Sequence, residues 1–542
     1  MSSSAKRFLP LLLVVIVLLG HFALRVHRAD AVPVFVDEYN HIRRAQAAYD
    51  FAYNPMETSH GKLLFYYWIG LFDPQGEGTL LVSRWANALI SLLTCAAAGG
   101  AAKLLFGRRA VLPAMIFYAL VPFAVFFDRT ALADPLAGAL ASLAAWGSLL
   151  VVRRPTLRRG LGAGALITLA VLAKLTTAGI IALPVVGALF LSGIHLPRFT
   201  RADLSRWIGT LWRRYRRALV AGAVVFGLAW AGVLALTVES AINGENTYLL
   251  DTHLVQQEPG TDSLLIEKWG DIRERGDHLI STPLSVILVV LAVVALWRKP
   301  RPAIYALAWL LAIWIPNLAL ADDVQSRYLM AGVGALAALF GGEMVAAGDL
   351  LGDLIARGRE RASQLRARRW ATVGLAAAIL VVWAVGFALP FDVKASTDPA
   401  ALDLPWRDSH DYFNYIYNAW GIRETMAWAE DHGERVGDQV PVVAVLNHCG
   451  PVNLYVAPDM AFRCQDRWAF PGSRMPSDIT RWTTLSNAAK RWPFVYVVSE
   501  YPAIVPPDAP PTDGSLTWDL QYTSDRPHGG LTIALWRVTM KP

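Results

Sequence analysis

Charge is what this sequence has least of: only 17% of its 542 residues are Asp, Glu, Lys or Arg, while 55% are hydrophobic. Together with a mean hydropathy of +0.37, that shortage excludes an ordinary soluble domain and predicts a polytopic membrane protein. Cysteine is nearly absent as well, with three residues in all. No Cys-x-x-Cys pair, no Gly-rich phosphate loop and no solenoid-type repeat occurs. The chain therefore carries no local signature of a structural zinc site, a nucleotide-phosphate cradle or a repeat array. The Asn-x-Ser/Thr acceptor triplet is missing too, which points away from the endoplasmic reticulum and towards a bacterial plasma (inner) membrane. The formal charge of +7 does not indicate a nucleic-acid partner. Its basic residues fall in short clusters between apolar runs, as the positive-inside rule arranges them.

What is present is a succession of apolar runs. The first, Phe8 to about Val26, follows Lys6 and Arg7 and has the shape of a signal peptide, with Ala29-Asp30-Ala31 imitating a cleavage site. We read it as a retained helix. Further runs lie at about Thr79 to Leu105, Val111 to Phe127, Pro135 to Val152, Gly160 to Thr176, Ala178 to Ile194, Ala218 to Val238, Thr282 to Trp297, Pro302 to Leu320, Tyr328 to Ala347 and Trp370 to Leu389. The expectation is a polytopic α-helical protein with about eleven transmembrane helices.

Alternate connections are rich in arginine. Arg108/Arg109, Arg153/Arg154/Arg158/Arg159, the stretch Arg198 to Arg217, Arg298/Lys299/Arg301 and the stretch Arg357 to Arg369 are placed in the cytoplasm with the N-terminus. The other connections then face outwards: residues 27–78, the turn at Asp128-Arg129, the turn near Thr177, the loop 239–281, the turn from Asp322 to Arg327, and everything after Pro390. One alternation accommodates every connection.

The sequence thus divides into a membrane module, 1–390, and an extracytoplasmic domain, 391–542. In the first outer loop, Lys62-Leu63-Leu64-Phe65-Tyr66-Tyr67-Trp68-Ile69 is aromatic and too short to span, so it is expected to lie along the interface as a juxtamembrane helix. Ser263 to Trp269 is read the same way. After Pro390, β-rich runs at Val440 to Val445, Phe494 to Val498 and Leu531 to Val538, with a helical stretch from Tyr412 to Glu430, predict a small α/β domain. Cys449 and Cys464 both fall in this outer domain and form a disulfide candidate. Two free thiols remain the alternative, since sequence supplies no Cα distance.

Ionisable groups beside a bilayer are expensive to hold and are candidates for function. On the outer side they are Asp37, Glu38, His60, Lys62, Asp128, Arg129, Asp134, Lys174, Asp322, Asp323 and Arg327. Carboxylates beside cations on one face suit a reaction in which an acceptor hydroxyl loses its proton to a general base while an anionic group departs. Arg and Lys would hold the oxygens of a departing phosphate. Plainer roles stand beside these. Asp37-Glu38 has a plainer reading as a solvated loop pair, Asp134 as a helix cap ahead of Pro135, Lys174 as a snorkelling helix end, and Arg327 as an interface anchor. His60 and His253 are single histidines, for which metal ligation is the less expected role.

Several of these pieces, in this order, resemble one family. Asp37-Glu38 follows the first span; His60-Gly61-Lys62-Leu63 leads into Tyr66-Tyr67-Trp68. Arg129-Thr130-Ala131-Leu132-Ala133-Asp134-Pro135, Leu172-Ala173-Lys174-Leu175-Thr176 and Ser326-Arg327-Tyr328-Leu329 follow. The set is similar to the GT-C membrane glycosyltransferases, of the glycosyltransferase family 39 kind, related to protein O-mannosyltransferases and the aminoarabinose transferase of lipid A, over roughly residues 8 to 350. The resemblance implies inverting transfer of a hexosyl or pentosyl group from a polyprenyl-phosphate donor to an extracytoplasmic acceptor hydroxyl on protein, glycolipid or cell-wall glycan.

It also implies roles. Asp37 would be the general base, with Glu38 beside it and Asp134 a second acidic residue of the site. Lys62, Arg327, Arg129 and Lys174 would bind donor phosphate, and His60, Tyr66 and Tyr328 would line the substrate pocket. Gly61 and Leu63 depart from the residues common in relatives and leave a metal site and the loop's shape open. No cofactor is required by the sequence, and a divalent cation is left open because no acidic pair has ligand spacing. Membrane lipids are the remaining partners. The rival reading is a transporter or lipid flippase, which would need mirrored halves and ionisable groups near the bilayer midplane; here they concentrate at one face. A membrane anchor displaying the outer domain is a third reading, disfavoured because one helix would serve.

Overall fold

The structure, a computed structural model, describes residues 3–50, 54–56, 61–76, 78–194, 200–243, 264–320, 325–466, 485, 487–501 and 516–541. Its packing divides the chain into two compact units. One comprises Met1–Ala29, Ala47–Phe72 and Ser83–Ser396; the other comprises Asp30–Gln46, Asp73–Val82 and Thr397–Pro542. The segment carrying Asp37 thus packs with the C-terminal domain, although sequence alone grouped all of residues 27–78 with the membrane module.

The first unit is helical. The apolar runs expected to span fall mainly on helices, and among the described residues seven helices are long and apolar enough to cross a membrane, or eight if the bent pair Lys268–Leu279 and Thr282–Arg298 is one span. Several of the other runs are broken. Val111–Leu120 and Pro122–Phe127 are separate helices because Val121 is extended (φ −64°, ψ 122°), as a residue before proline prefers. Leu157–Ala173 ends at an extended Lys174 (φ −160°, ψ 121°), and a tight 3-10 stretch, Leu175–Ala182, follows. Conversely, Arg201–Ile242 runs unbroken for 42 residues, so the arginine-rich connection continues the helix that crosses. These helices pack through small residues. A Cβ on Gly164 would lie 2.5 Å from the Gly222 backbone, an approach only glycine permits.

Several charges inside this unit are paired. Arg25 is fully buried, donates to Asp128 at 2.8 Å, and also donates to the carbonyls of Ala119 and His21. At another place, cations from three of the connections expected in the cytoplasm meet on two aspartates. Arg109 and Lys299 reach Asp349 at 2.8 and 3.1 Å, and Arg368 and Arg298 both pair with Asp353.

The second unit is built on a five-stranded sheet of β1 (Val440–Leu446), β2 (Met460–Asp466), β3 (Val495–Tyr501), β4 (Leu516–Asp525) and β5 (Thr532–Met540), in the order β2-β1-β3-β5-β4. β1 is parallel to both neighbours, and β5 is antiparallel to β3 and β4. Every residue of β1 is buried, as a central parallel strand covered on both faces must be. One face packs Val440, Val442 and Ala444 against Ile422, Met426 and Ala429 of the Ile422–His432 helix, and Val34 joins the same core.

The sequence predicted one helix from Tyr412 to Glu430. Instead a short π turn, His410–Asn414, stops, and Gly421 at φ +77° restarts the chain as the Ile422–His432 helix. Glu424 accepts from the Gly421 amide at 2.8 Å and closes that new N-terminus. Strands β2 and β4 had no sequence signal: the first, Met-Ala-Phe-Arg-Cys-Gln-Asp, lacks β-branched residues, and the second is a partly exposed edge. A disulfide joins Cys449 to Cys464, tying the turn after β1 to β2, with Cα atoms 5.8 Å apart. Cys95 is free and buried.

Candidate active site

Within the first unit, three of the predicted cation-bearing segments converge. Pro135 starts the Asp134–Arg153 helix, where its missing N–H costs nothing, and this leaves Asp134 in the first turn. The turn before it is pinned by Asn87, whose amide donates to the carbonyls of Thr130 and Leu132, both at 2.7 Å. Asp134 accepts from Lys174 Nζ at 2.5 Å, and both side chains are buried. The Lys174 ammonium lies 4.5 Å from the centre of the Tyr328 ring, and the guanidinium of Arg327 lies 5.5 Å from the same ring. Arg327 also donates to Gln325 at 2.5 Å. The Leu175 amide donates to the Gly61 carbonyl at 3.2 Å, so the half-buried Lys62 follows a residue docked directly beside Lys174.

This arrangement is a partly desolvated cluster of cations around one tyrosine, with the Asp134 carboxylate paired to Lys174. Such a cluster suits a phosphate, whose oxygens accept charge-assisted hydrogen bonds from Lys and Arg. Tyr66 is buried in the Leu63–Gly70 helix against Phe65, with ring centres 6.0 Å apart. Arg129 has a different place. It is buried and donates to the carbonyls of His27, Arg28 and Ala395 and to the Ser396 hydroxyl, at 2.7 to 3.1 Å, which ties two separate stretches of backbone together. His60, Asp322 and Asp323 lie outside the described residues.

In the second unit, Asp37 and Glu38 open the Val36–Gln46 helix, where negative charge is favoured. They point to different jobs. Glu38 is fully buried and accepts from the Phe35 amide at 3.0 Å, one half of a capping box. Asp37 is half-buried. The Val36 amide donates to the Tyr417 carbonyl at 2.7 Å, the Ala419 amide to the Val34 carbonyl at 3.0 Å, and Phe35 bridges Asn418. On the other side, Gly450 meets the Tyr39 ring so closely that a Cβ there would clash.

Two residues near Asp37 escaped the sequence reading. His448 follows the carboxyl end of β1, and β1 sits between β2 and β3, so the chain crosses over at its end; ligands of open parallel sheets bind at such a point. Burial lowers the His448 imidazole below its ordinary 6.5, while the carboxylates of Glu500 and Asp37 oppose the shift and Arg526 assists it. Burial likewise raises the Tyr417 phenol, aided by Asp411 and Asp37. The signal for His448 was present in Asn447-His448-Cys449-Gly450 after a β run, but only the strand order gives it meaning. Among the described residues, no group of three or more His, Cys, Asp or Glu side chains converges as a metal site.

Comparison with known proteins agrees with this picture. Residues 63–202 match the family described as dolichyl-phosphate-mannose-protein mannosyltransferase. No curated protein sequence matches the chain. Among solved structures, ArnT from Cupriavidus metallidurans bound to undecaprenyl phosphate is 15% identical over 98% of both chains, with a TM-score of 0.53. Its apo state is 16% identical over the same shares, with a TM-score of 0.52. The oligosaccharyltransferase from Archaeoglobus fulgidus, tethered to an acceptor peptide, is 15% identical over 92% of this chain and 70% of its own, with a TM-score of 0.51. The chain has the fold of GT-C membrane glycosyltransferases and is a multi-pass membrane protein.

Proposed function

We propose that this chain, built on the GT-C fold, is an inverting glycosyltransferase that moves a sugar from a polyprenyl-phosphate donor to an extracytoplasmic hydroxyl, in a bacterial plasma membrane with its N-terminus in the cytoplasm. The observation that carries the proposal is the buried Lys174–Asp134 pair at 2.5 Å with Tyr328 and Arg327 around it and the Gly61-Lys62 loop docked alongside. That cluster offers donors to phosphate oxygens at the place where residues 63–202 match a lipid-phosphate mannosyltransferase family. The similarly folded ArnT was crystallised with undecaprenyl phosphate, which supports the same class of donor here.

In the mechanism, Lys62 and Arg327 hold the donor phosphate and stabilise the charge that grows on it as the glycosidic C–O bond breaks. Asp37 takes the proton from the acceptor hydroxyl as its oxygen bonds to the anomeric carbon from the opposite face. Phosphate leaves readily as an anion, so no carboxylic acid need protonate it and no covalent glycosyl-enzyme is required. Asp134 holds Lys174 in place rather than acting on the sugar.

The test is an assay of the purified full-length chain in lipid with a panel of radiolabelled polyprenyl-phosphate sugars and crude envelope acceptor, measuring release of polyprenyl phosphate. Release with at least one donor, abolished in Asp37→Asn, is expected. Absence of release with every donor would count against the transferase reading and favour the transporter one.

A further inference from the structure

The C-terminal unit carries a continuous row of five rings that the mechanism above leaves unused. Trp406 packs on His410 with ring centres 5.5 Å apart, and His410 stacks on Tyr415 at 4.3 Å. Tyr415 meets Tyr417 edge-on at 5.7 Å, and Tyr417 meets His448 at 5.4 Å. Four of the rings come from residues 406–417, around the π turn His410–Asn414, an irregularity frequent at functional sites, and the fifth follows β1. One end of the row lies at the crossover point of the sheet, at His448. There the Val36 amide holds the Tyr417 carbonyl, one residue from Asp37.

Two rings of the row, on either side of His410, are exposed. Trp406 is 66% exposed and Tyr415 38% exposed, whereas His410, Tyr417 and His448 are half-buried. Exposing an indole and a phenol in one row sacrifices burial that a stable fold would otherwise use. Charged groups lie beside the rings. Asp411 is buried and forms an ion pair with Arg407 at 3.5 Å, and the Asp37 carboxylate acts electrostatically on both Tyr417 and His448. Flat apolar faces alternating with carboxylates and a guanidinium match a pyranose ring, whose C–H face is apolar and whose rim is hydroxyl. A surface for lipid tails would need contiguous aliphatic side chains without these charges.

We propose that the row Trp406, His410, Tyr415, Tyr417 and His448 is a stacking platform for a pyranose acceptor, which it leads to the carboxylate of Asp37. The proposal rests on the transferase reading and adds the class of acceptor: a glycan or glycolipid presenting a hexopyranose, in preference to a peptide hydroxyl.

The experiment uses the full-length chain in lipid nanodiscs and saturation-transfer NMR with methyl α-glycosides of mannose, glucose and galactose. Binding of labelled undecaprenyl phosphate is measured in parallel. At least one pyranoside should receive saturation on its ring C–H protons. Trp406→Ala and Tyr415→Ala should each weaken that binding roughly tenfold, while Trp406→Phe and Tyr415→Phe, which keep a ring, should retain it. Undecaprenyl phosphate binding should be the same in all five proteins. Saturation unaffected by the alanine variants, or no saturation with any pyranoside, overturns the platform. So does a result in which the variants change only the quenching of tryptophan emission by brominated phospholipid, which would assign the rings to the bilayer surface. Pyranoside binding through these rings in a protein that fails to bind undecaprenyl phosphate would sustain the sugar surface and defeat the transferase reading.

Discussion

The amide of Val36 donates to the carbonyl of Tyr417 at 2.7 Å, and this bond between residues 381 positions apart makes the start of the Val36–Gln46 helix part of the C-terminal unit. Asp37 therefore owes its position to a domain that begins at Thr397. Losing that domain should disturb the candidate base as well as any acceptor surface.

The neighbouring carboxylates at the head of that helix should respond differently to neutralisation. Asp37→Asn keeps the shape and removes the proton acceptor, so transfer should fall by at least about two orders of magnitude with donor binding intact. Glu38→Gln keeps an oxygen for the Phe35 amide, and glutamine serves as well in a capping box, so its transfer rate should stay near that of the wild type. Initial-rate assays on the two variants side by side check this. Equal loss in both would contradict the separation of roles.

Lys62→Ala and Arg327→Ala should each weaken undecaprenyl phosphate binding by roughly tenfold to a hundredfold, the worth of one charge-assisted hydrogen bond. Arg129→Ala should act through stability instead, since its guanidinium donates to His27, Arg28, Ala395 and Ser396. Equilibrium binding and thermal unfolding of the same three proteins separate the two effects.

Removing one partner of the buried Lys174–Asp134 pair should be worse than removing both. Asp134→Ala leaves a desolvated ammonium without its carboxylate, at a cost of about 3–5 kcal/mol. The double substitution Asp134→Ala with Lys174→Met removes that penalty and should recover part of the loss. A double variant less stable than Asp134→Ala alone in detergent unfolding would show that the pair is not coupled.

His448 should make the C-terminal domain sensitive to mild acid. Burial lowers its folded pKa below 6.5 against the opposing carboxylates of Glu500 and Asp37. Between that lowered value and 6.5, the unfolded state binds a proton that the native state does not, so stability falls as pH drops below about 6.5. The contribution is complete at pH 7 and above. His448→Gln should flatten the profile of unfolding midpoint against pH between 5 and 7, and an unchanged slope would show that other groups set it.

The Cys449–Cys464 bond closes a loop of 15 residues, for which the chain-entropy account gives about 3 kcal/mol. Reductant, or the paired Cys449→Ser and Cys464→Ser substitutions, should lower the domain's unfolding midpoint accordingly. Because Cys449 adjoins His448, reduction should also weaken the pyranoside binding proposed above. Differential scanning with and without reductant is the check.

The membrane architecture was legible in sequence because hydropathy is a local quantity. A run of apolar residues predicts a spanning helix without reference to distant residues. The candidate phosphate site was legible for a related reason: Asp134, Lys174 and Arg327 stand at helix ends, where breaks such as Ala133-Asp134-Pro135 announce themselves. Tertiary structure alone decided what the remaining groups do. Glu38 and Arg129 were indistinguishable from Asp37 and Lys62 as charges beside a span, and only burial and backbone partners turned one into a helix cap and the other into a clasp. The row from Trp406 to His448 and its proximity to Asp37 were likewise invisible. They depend on a π turn, on the crossover of β1 between β2 and β3, and on one long-range bond between Val36 and Tyr417. Periodicity reports the face a residue shares with its neighbours three or four positions away, whereas a site assembled from positions 37, 417 and 448 exists only once the chain has closed those loops.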